Sequence, residues 1–178
     1  MKWFIVAVLV VLVGFVLAVA CLADGGVTVK GVLSWQGHGP PGTARWQQYI
    51  WVTLPNQSPW QGCTTQTSAW GEFSCQFSAK LPYPLTIEIH NGHTLSTAVK
   101  VLGAGPVYIG VMVAGDVSQD NKIDKETDFE TCLWAIGSTC PSPGGCYLSA
   151  DIDDDQAVTT ADCTLIEMNM GQQGPVQR

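Results

Sequence analysis

The sequence predicts a mainly β chain with a small α module at its C-terminal end: an antiparallel β-sandwich, then a pair of loop-helix repeats. Three observations carry that expectation. Between residues 27 and 114, six or seven β-branched or aromatic runs are separated by Gly, Pro and Asn turn signals. Beyond residue 115 one acidic pattern occurs twice, D-V-S-Q-D-N-K-I-D-K-E-T-D-F from Asp116 to Phe129 and D-I-D-D-D-Q-A-V-T-T-A-D-C from Asp151 to Cys163. Charge divides at the same place. Residues 24–114 carry four basic and three acidic side chains; residues 115–178 carry three basic and twelve acidic. The net charge of −7 argues against nucleic acid as a partner, which demands basic patches.

Residues 1–23 read as a targeting segment. Lys2 precedes Trp3 to Ala20, a run without charge, and Ala18-Val19-Ala20 is a small-x-small cleavage site. Plain secretion is the first expectation. An uncleaved anchor stays open, because the run nearly suffices to span a bilayer. So does a lipoprotein signal that lipidates Cys21, with Ala18 where Leu is usual. All three place the mature chain outside the cytoplasm, with the membrane met only through this segment. Of the seven cysteines, the six besides Cys21 suit three bridges in an oxidising compartment.

Residues 24–114 are expected to form the sandwich. V-T-V-K-G-V-L-S-W, Y-I-W-V-T-L, T-S-A-W-G-E-F-S-C-Q-F, L-T-I-E-I-H, S-T-A-V-K-V-L and V-Y-I-G-V-M-V are its strands. Cys63 and Cys75 flank a stretch that reads as a hairpin turning near Trp70-Gly71, and are expected to pair. His90 and His93 form H-x-x-H around Asn91-Gly92, a hairpin turn signal, and are read as turn-flanking, not as a metal pair. No free nucleophilic cysteine and no separate carboxylate pair stands out, so a non-catalytic protein is expected. Tryptophan is dense here. Trp51 is expected in the core, while Trp35, Trp46 and Trp60 lie beside Gly, Pro and Gln and are expected in exposed loops. Exposed indoles would offer platforms for sugar rings, which makes carbohydrate binding the alternative function.

Residues 115–178 carry the repeats. Asp151, Asp153, Asp155 and Thr159 fall at positions 1, 3, 5 and 9 of the second, with the Ala157 carbonyl at 7 and Asp162 at 12. This is the spacing of a calcium loop, in which alternate side-chain oxygens and one carbonyl surround a hard cation. The first repeat offers Asp116, Ser118, Asp120 and Asp124 at 1, 3, 5 and 9 and the Lys122 carbonyl at 7. Its closing carboxylate, Asp128, is displaced to 13 by an inserted residue, and Glu126 at 11 is an alternative. Position 6, where Gly is usual, is Asn121 in one copy and Gln156 in the other. The insertion predicts that the first loop is the weaker site. Helices are expected over Asp128–Gly137 and Asp162–Gly171, with Phe129, Cys132 and Ile136 matching Cys163, Ile166 and Met170 on one apolar face. Core-facing Cys132 and Cys163 are the favoured pair, with Cys140 and Cys146 bridging the short P-S-P-G-G loop, although four cysteines allow three pairings.

The duplicated loop-plus-helix, with Asp at position 12 and Gly after each helix, resembles a type I dockerin over residues 115–171. The stretch T-S-A-W-G-E-F-S, then P-Y-P-L-T-I-E-I-H, resembles the transthyretin-like or carboxypeptidase-regulatory family of Ig-like sandwiches. The dockerin resemblance implies two Ca²⁺ ions, a cohesin-type protein partner and a link to polysaccharide breakdown. It also implies that loop positions 10 and 11 carry recognition: Lys125 and Glu126 in the first repeat, Thr160 and Ala161 in the second.

Overall fold

Alternation of apolar and polar residues draws seven strands into two facing sheets. The computed structural model describes residues 26–55, 61–77, 81–139 and 148–175. The targeting segment with Cys21, Trp60 and the Cys140–Cys146 pair lie outside the described residues. The strands are β1 (Val27–Trp35), β2 (Tyr49–Thr53), β3 (Gly62–Gln66), β4 (Glu72–Phe77), β5 (Leu85–Asn91), β6 (Thr94–Val101) and β7 (Val107–Met112). One sheet has the order β4-β1-β7, the other β3-β2-β5-β6. Between them lie Leu33, Ile50, Val52, Phe73, Phe77, Ile87 and Ile89, all buried. Among the described residues every strand pairing is antiparallel except β1 with β7, which is parallel. That departs from the predicted all-antiparallel sandwich. Between these two strands the chain visits the other sheet twice, as β2–β3 and as β5–β6, returning through β4.

The expected hairpin around Trp70-Gly71 is not one. β3 pairs with β2 and β4 pairs with β1, so the two cysteine-bearing strands belong to opposite sheets. The chain crosses over at residues 67–71, where Gly71 has φ +77° and a Cβ would collide with the Leu33 carbonyl oxygen. The Cys63–Cys75 disulfide therefore staples one sheet to the other, with Cα atoms 5.9 Å apart.

The tryptophans also correct the expectation. Trp35 and Trp46 are buried, at 4% and 6% exposure. Their indole N–H groups donate to the carbonyls of Trp46 and Gly39, both at 3.3 Å, which lets two polar-tipped rings enter the core. Trp51 is 45% exposed, because β2 alternates and turns Ile50 and Val52 inward.

The second module is α1 (Glu130–Ala135) and α2 (Thr160–Asn169) with their preceding loops. Its own core contains Ile123, Ile152, Val158 and Ile166, with Leu95 and Ala114 contributed by the sandwich. The predicted helix face is only partly buried. Cys132, Cys163 and Ile166 are inside, but Ile136 and Met170 are exposed. Both have already left the helix, with ψ of 130° and 135°, so the stripe ends one turn early. Among the described residues no helix is long and apolar enough to cross a membrane.

Polar groups lock the modules together. The Gln36 and Asn169 amides exchange hydrogen bonds at 3.2 and 2.8 Å. Asn169 also donates to the Ala114 carbonyl, and the Ala114 N–H donates to Gln36. Asn169 is buried, so Asn169→Ala is expected to cost about 2–3 kcal/mol by leaving an amide and a carbonyl unpaired. Urea unfolding measures it; a loss under about 0.5 kcal/mol would show the amide pair to be idle.

Candidate metal centre

The second loop curls because two of its residues adopt left-handed backbone. Asp154 has φ 60° and Gln156 φ 74°. The Asp151 carboxylate fastens the curl, accepting the N–H of Asp155 at 3.1 Å and of Gln156 at 2.9 Å. Asp155 accepts the Ala157 N–H at 3.0 Å, which turns position 7 back toward the loop. Oxygens of Asp151, Asp153 and Asp155 then lie within 4.8 Å of one another. Asp162, wholly buried, accepts from the N–H groups of Ile152, Asp153 and Thr159. Thr159 is at once the ninth loop residue and the N-cap of α2, in a reciprocal capping box with Asp162.

The first loop repeats most of this pattern, except that the Val117 N–H, matching Ile152, donates to the Gly115 carbonyl instead of the closing carboxylate. Gln119 and Asn121 are the left-handed residues, at φ 62° and 66°. Asp116 accepts the N–H of Asp120 at 3.1 Å and of Asn121 at 2.9 Å. Asp120 accepts from Lys122 at 3.0 Å. Asp128 takes the place of Asp162, accepting from Ser118 at 2.9 Å and Asp124 at 2.8 Å. The inserted residue is absorbed after the loop, as a π-helical turn over Lys125–Phe129. The Phe129 N–H reaches the Asp124 carbonyl at 3.2 Å, five residues back. The insertion therefore leaves the closing carboxylate in place, and Glu126 stays exposed outside the loop. What separates the two loops is Ser118, a neutral hydroxyl where the second has Asp153.

Each loop is clamped by the end of the other repeat's helix. Ile123 exchanges backbone hydrogen bonds with Gly171 and Gln172, and Val158 with Gly137 and Ser138, all at 2.8–2.9 Å. The disulfide Cys132–Cys163 joins α1 to α2 across the same pseudo-two-fold arrangement, with Cα atoms 5.6 Å apart.

The electrostatics suit a cation. Burial pushes the Asp116 and Asp151 carboxyls up to about 6 against their loop hydrogen bonds, with Asp128 and Asp154 adding repulsion. Burial raises Asp153 as well, and repulsion from Asp155 and Asp162 adds to that rise, while Arg45 opposes it from 3.8 Å. The donors are oxygens throughout, and the repulsion among them is what a hard divalent ion relieves. The residues present fit such an ion: the side chains at positions 1, 3 and 5 and the carbonyl at 7 would hold it. Asp124 is the least committed ligand. Its Oδ1 already caps the turn, accepting from the Thr127 N–H and Oγ1.

No family model and no curated protein matches the chain. Solved structures do. A chain of the N-terminal interface mutant of the type II cohesin–X-dockerin complex from Acetivibrio cellulolyticus matches at TM-score 0.63 and 18% identity, covering 84% of this chain and 98% of that one. A chain of the C-terminal interface mutant of the same complex matches at TM-score 0.63 and 16% identity, with the same coverage. At that identity the likeness is one of fold. Its span exceeds either module alone, so the shared fold runs across the junction.

The proposed recognition residues Lys125, Glu126, Thr160 and Ala161 are all exposed where the two helical segments begin. The sequence reading missed the other exposed residues of these helices. Trp134 and Met168 occupy equivalent places in α1 and α2 and are 89% and 70% exposed; Leu133 beside Trp134 is 46% exposed. A signal was there: Trp134 is a large apolar residue that falls off the buried stripe.

Proposed function

We propose that this protein is a non-catalytic, secreted or cell-surface docking module. In this reading each loop holds one Ca²⁺, and the exposed faces of α1 and α2 meet a protein partner of the cohesin type, in a setting of polysaccharide breakdown. The paired exposure of Trp134 and Met168 supports it most directly. A soluble helix rarely leaves an indole this open unless something covers it, and aromatic anchors dominate protein interfaces. The fold shared with cohesin–X-dockerin complexes supports the kind of partner. The calcium loops would act by holding the helix starts, and so Lys125, Glu126, Thr160 and Ala161, at the rim of that face.

Binding to a panel of cohesins, measured with calcium and with chelator, tests the reading. Trp134→Ala is expected to weaken binding at least about tenfold, and Trp134→Ala with Met168→Ala to abolish it. Unchanged binding in the double variant, or no binding by any panel member, would remove the docking role. The sugar-platform alternative loses its predicted residues Trp35 and Trp46, because both are buried in the core.

A further inference from the structure

A second site lies away from the helix faces, where the sandwich meets the first loop. A cavity of about 320 Å³ opens there between the outer face of the β2–β5–β6 sheet and residues 116–121. Trp51 and His90 form part of its wall, directly opposite each other on β2 and β5. Asn91, Thr94, Ser96, Asp116, Gln119 and Asn121 line the remainder. One feature marks it as built for a ligand. Thr94 is 3% exposed, and its Oγ1 has no hydrogen-bond partner. A buried hydroxyl left this way costs free energy that a ligand can return. A larger, shallower hollow of about 610 Å³ over Lys30, Thr65 and Glu72 holds no such orphan.

The chemistry narrows the ligand. An indole exposed on one face gives a flat apolar surface. Around it stand short neutral donors and acceptors: a hydroxyl, a carboxamide at Gln119 with no partner among the described residues, and an imidazole that burial holds below its ordinary pKa. Asp116 in the wall and the acidic loop beside it repel anions. Flat apolar faces ringed by neutral hydroxyls are the surface of a sugar. We infer that this cavity is a subsite for a neutral saccharide, one or two rings long, which stacks on Trp51 and hydrogen-bonds Thr94 and Gln119. The site is independent of the proposed protein docking face.

The test is an NMR titration of the calcium-saturated protein with cellobiose, maltose and xylobiose, and with digalacturonate as an anionic counterpart. At least one neutral disaccharide should shift the Trp51 indole N–H and the Gln119 side-chain amide, with Kd in roughly the millimolar range. Trp51→Ala should weaken that binding at least tenfold, Trp51→Tyr should retain most of it, and Trp70→Ala, exposed elsewhere, should leave it unchanged. The site is overturned if none of the neutral sugars binds at about 20 mM, if digalacturonate binds as well as they do, or if Trp51→Ala matches the wild type.

Discussion

Asp162→Ala should unfold the repeat module even in saturating calcium. The Asp162 carboxylate is wholly buried and accepts from the N–H groups of Ile152 at 2.8 Å, Asp153 at 3.2 Å and Thr159 at 2.8 Å, and from Thr159 Oγ1 at 3.0 Å. Alanine strands these donors in the interior, where each lost partner costs about 1–3 kcal/mol. The summed loss, about 3–5 kcal/mol, is a large part of the stability of a small domain. Asp162→Asn should cost less, because the amide oxygen still accepts on one side while its NH₂ group opposes donors on the other. The pseudo-symmetry makes a second demand: Asp128→Ala should destabilise in the same way but by less, since Asp128 accepts two backbone N–H groups, of Ser118 and Asp124, where Asp162 accepts three. Urea unfolding with separate reporters for strand and helix content measures both. A loss below about 1 kcal/mol for either variant would show that the closing carboxylate is no scaffold.

What could be read from the sequence was whatever repeats at a fixed spacing. The two loops, their left-handed sixth positions at Asn121 and Gln156, and the inward cysteines follow from period and residue type alone. The π-helical turn was not legible in that way. The insertion showed only as a closing Asp one place late, and where the chain stores one extra residue depends on which backbone yields most cheaply. Here the helix start yields, because the buried Asp128 must keep its bonds to Ser118 and Asp124.

The sandwich was legible as a set of strands but not as a set of pairings. Cys63 and Cys75 look like the arms of a hairpin until Gly71, pressed against the Leu33 carbonyl, turns the chain into the opposite sheet. Neighbouring residues misled on the tryptophans. Gly and Pro near Trp35 and Trp46 signalled loops, yet carbonyls placed by the fold satisfy both indole N–H groups and draw the rings inside. The junction was the least legible part, because Gln36 and Asn169 are 133 residues apart and neither is unusual where it stands.

Calcium and pH should act on stability in opposite senses. In the metal-free fold, burial raises the Asp116 and Asp151 carboxyls from an ordinary value of 3.8 to about 6. The folded chain therefore holds these protons more firmly than the unfolded chain does. Their contribution is fully present below about pH 4 and is lost as pH rises through 6, so the chelated protein should melt at a higher temperature at pH 5 than at pH 7.5. Calcium demands the ionised forms, so its affinity falls as the same carboxyls take up protons. With ion present the order should reverse, the protein being more stable at pH 7.5 than at pH 5. An ion at about 100 times its Kd adds about 2.7 kcal/mol per site, since only the folded chain assembles the loop. The second loop should dominate, because it presents three clustered carboxylates where the first has Ser118. Ser118→Asp is accordingly expected to tighten the first site. Melting curves at the two pH values, each with calcium and with chelator, together with calorimetric titration, decide the matter. If no heat of binding appears at millimolar calcium, or if the pH trend keeps the same sign with and without the ion, these loops are not calcium sites.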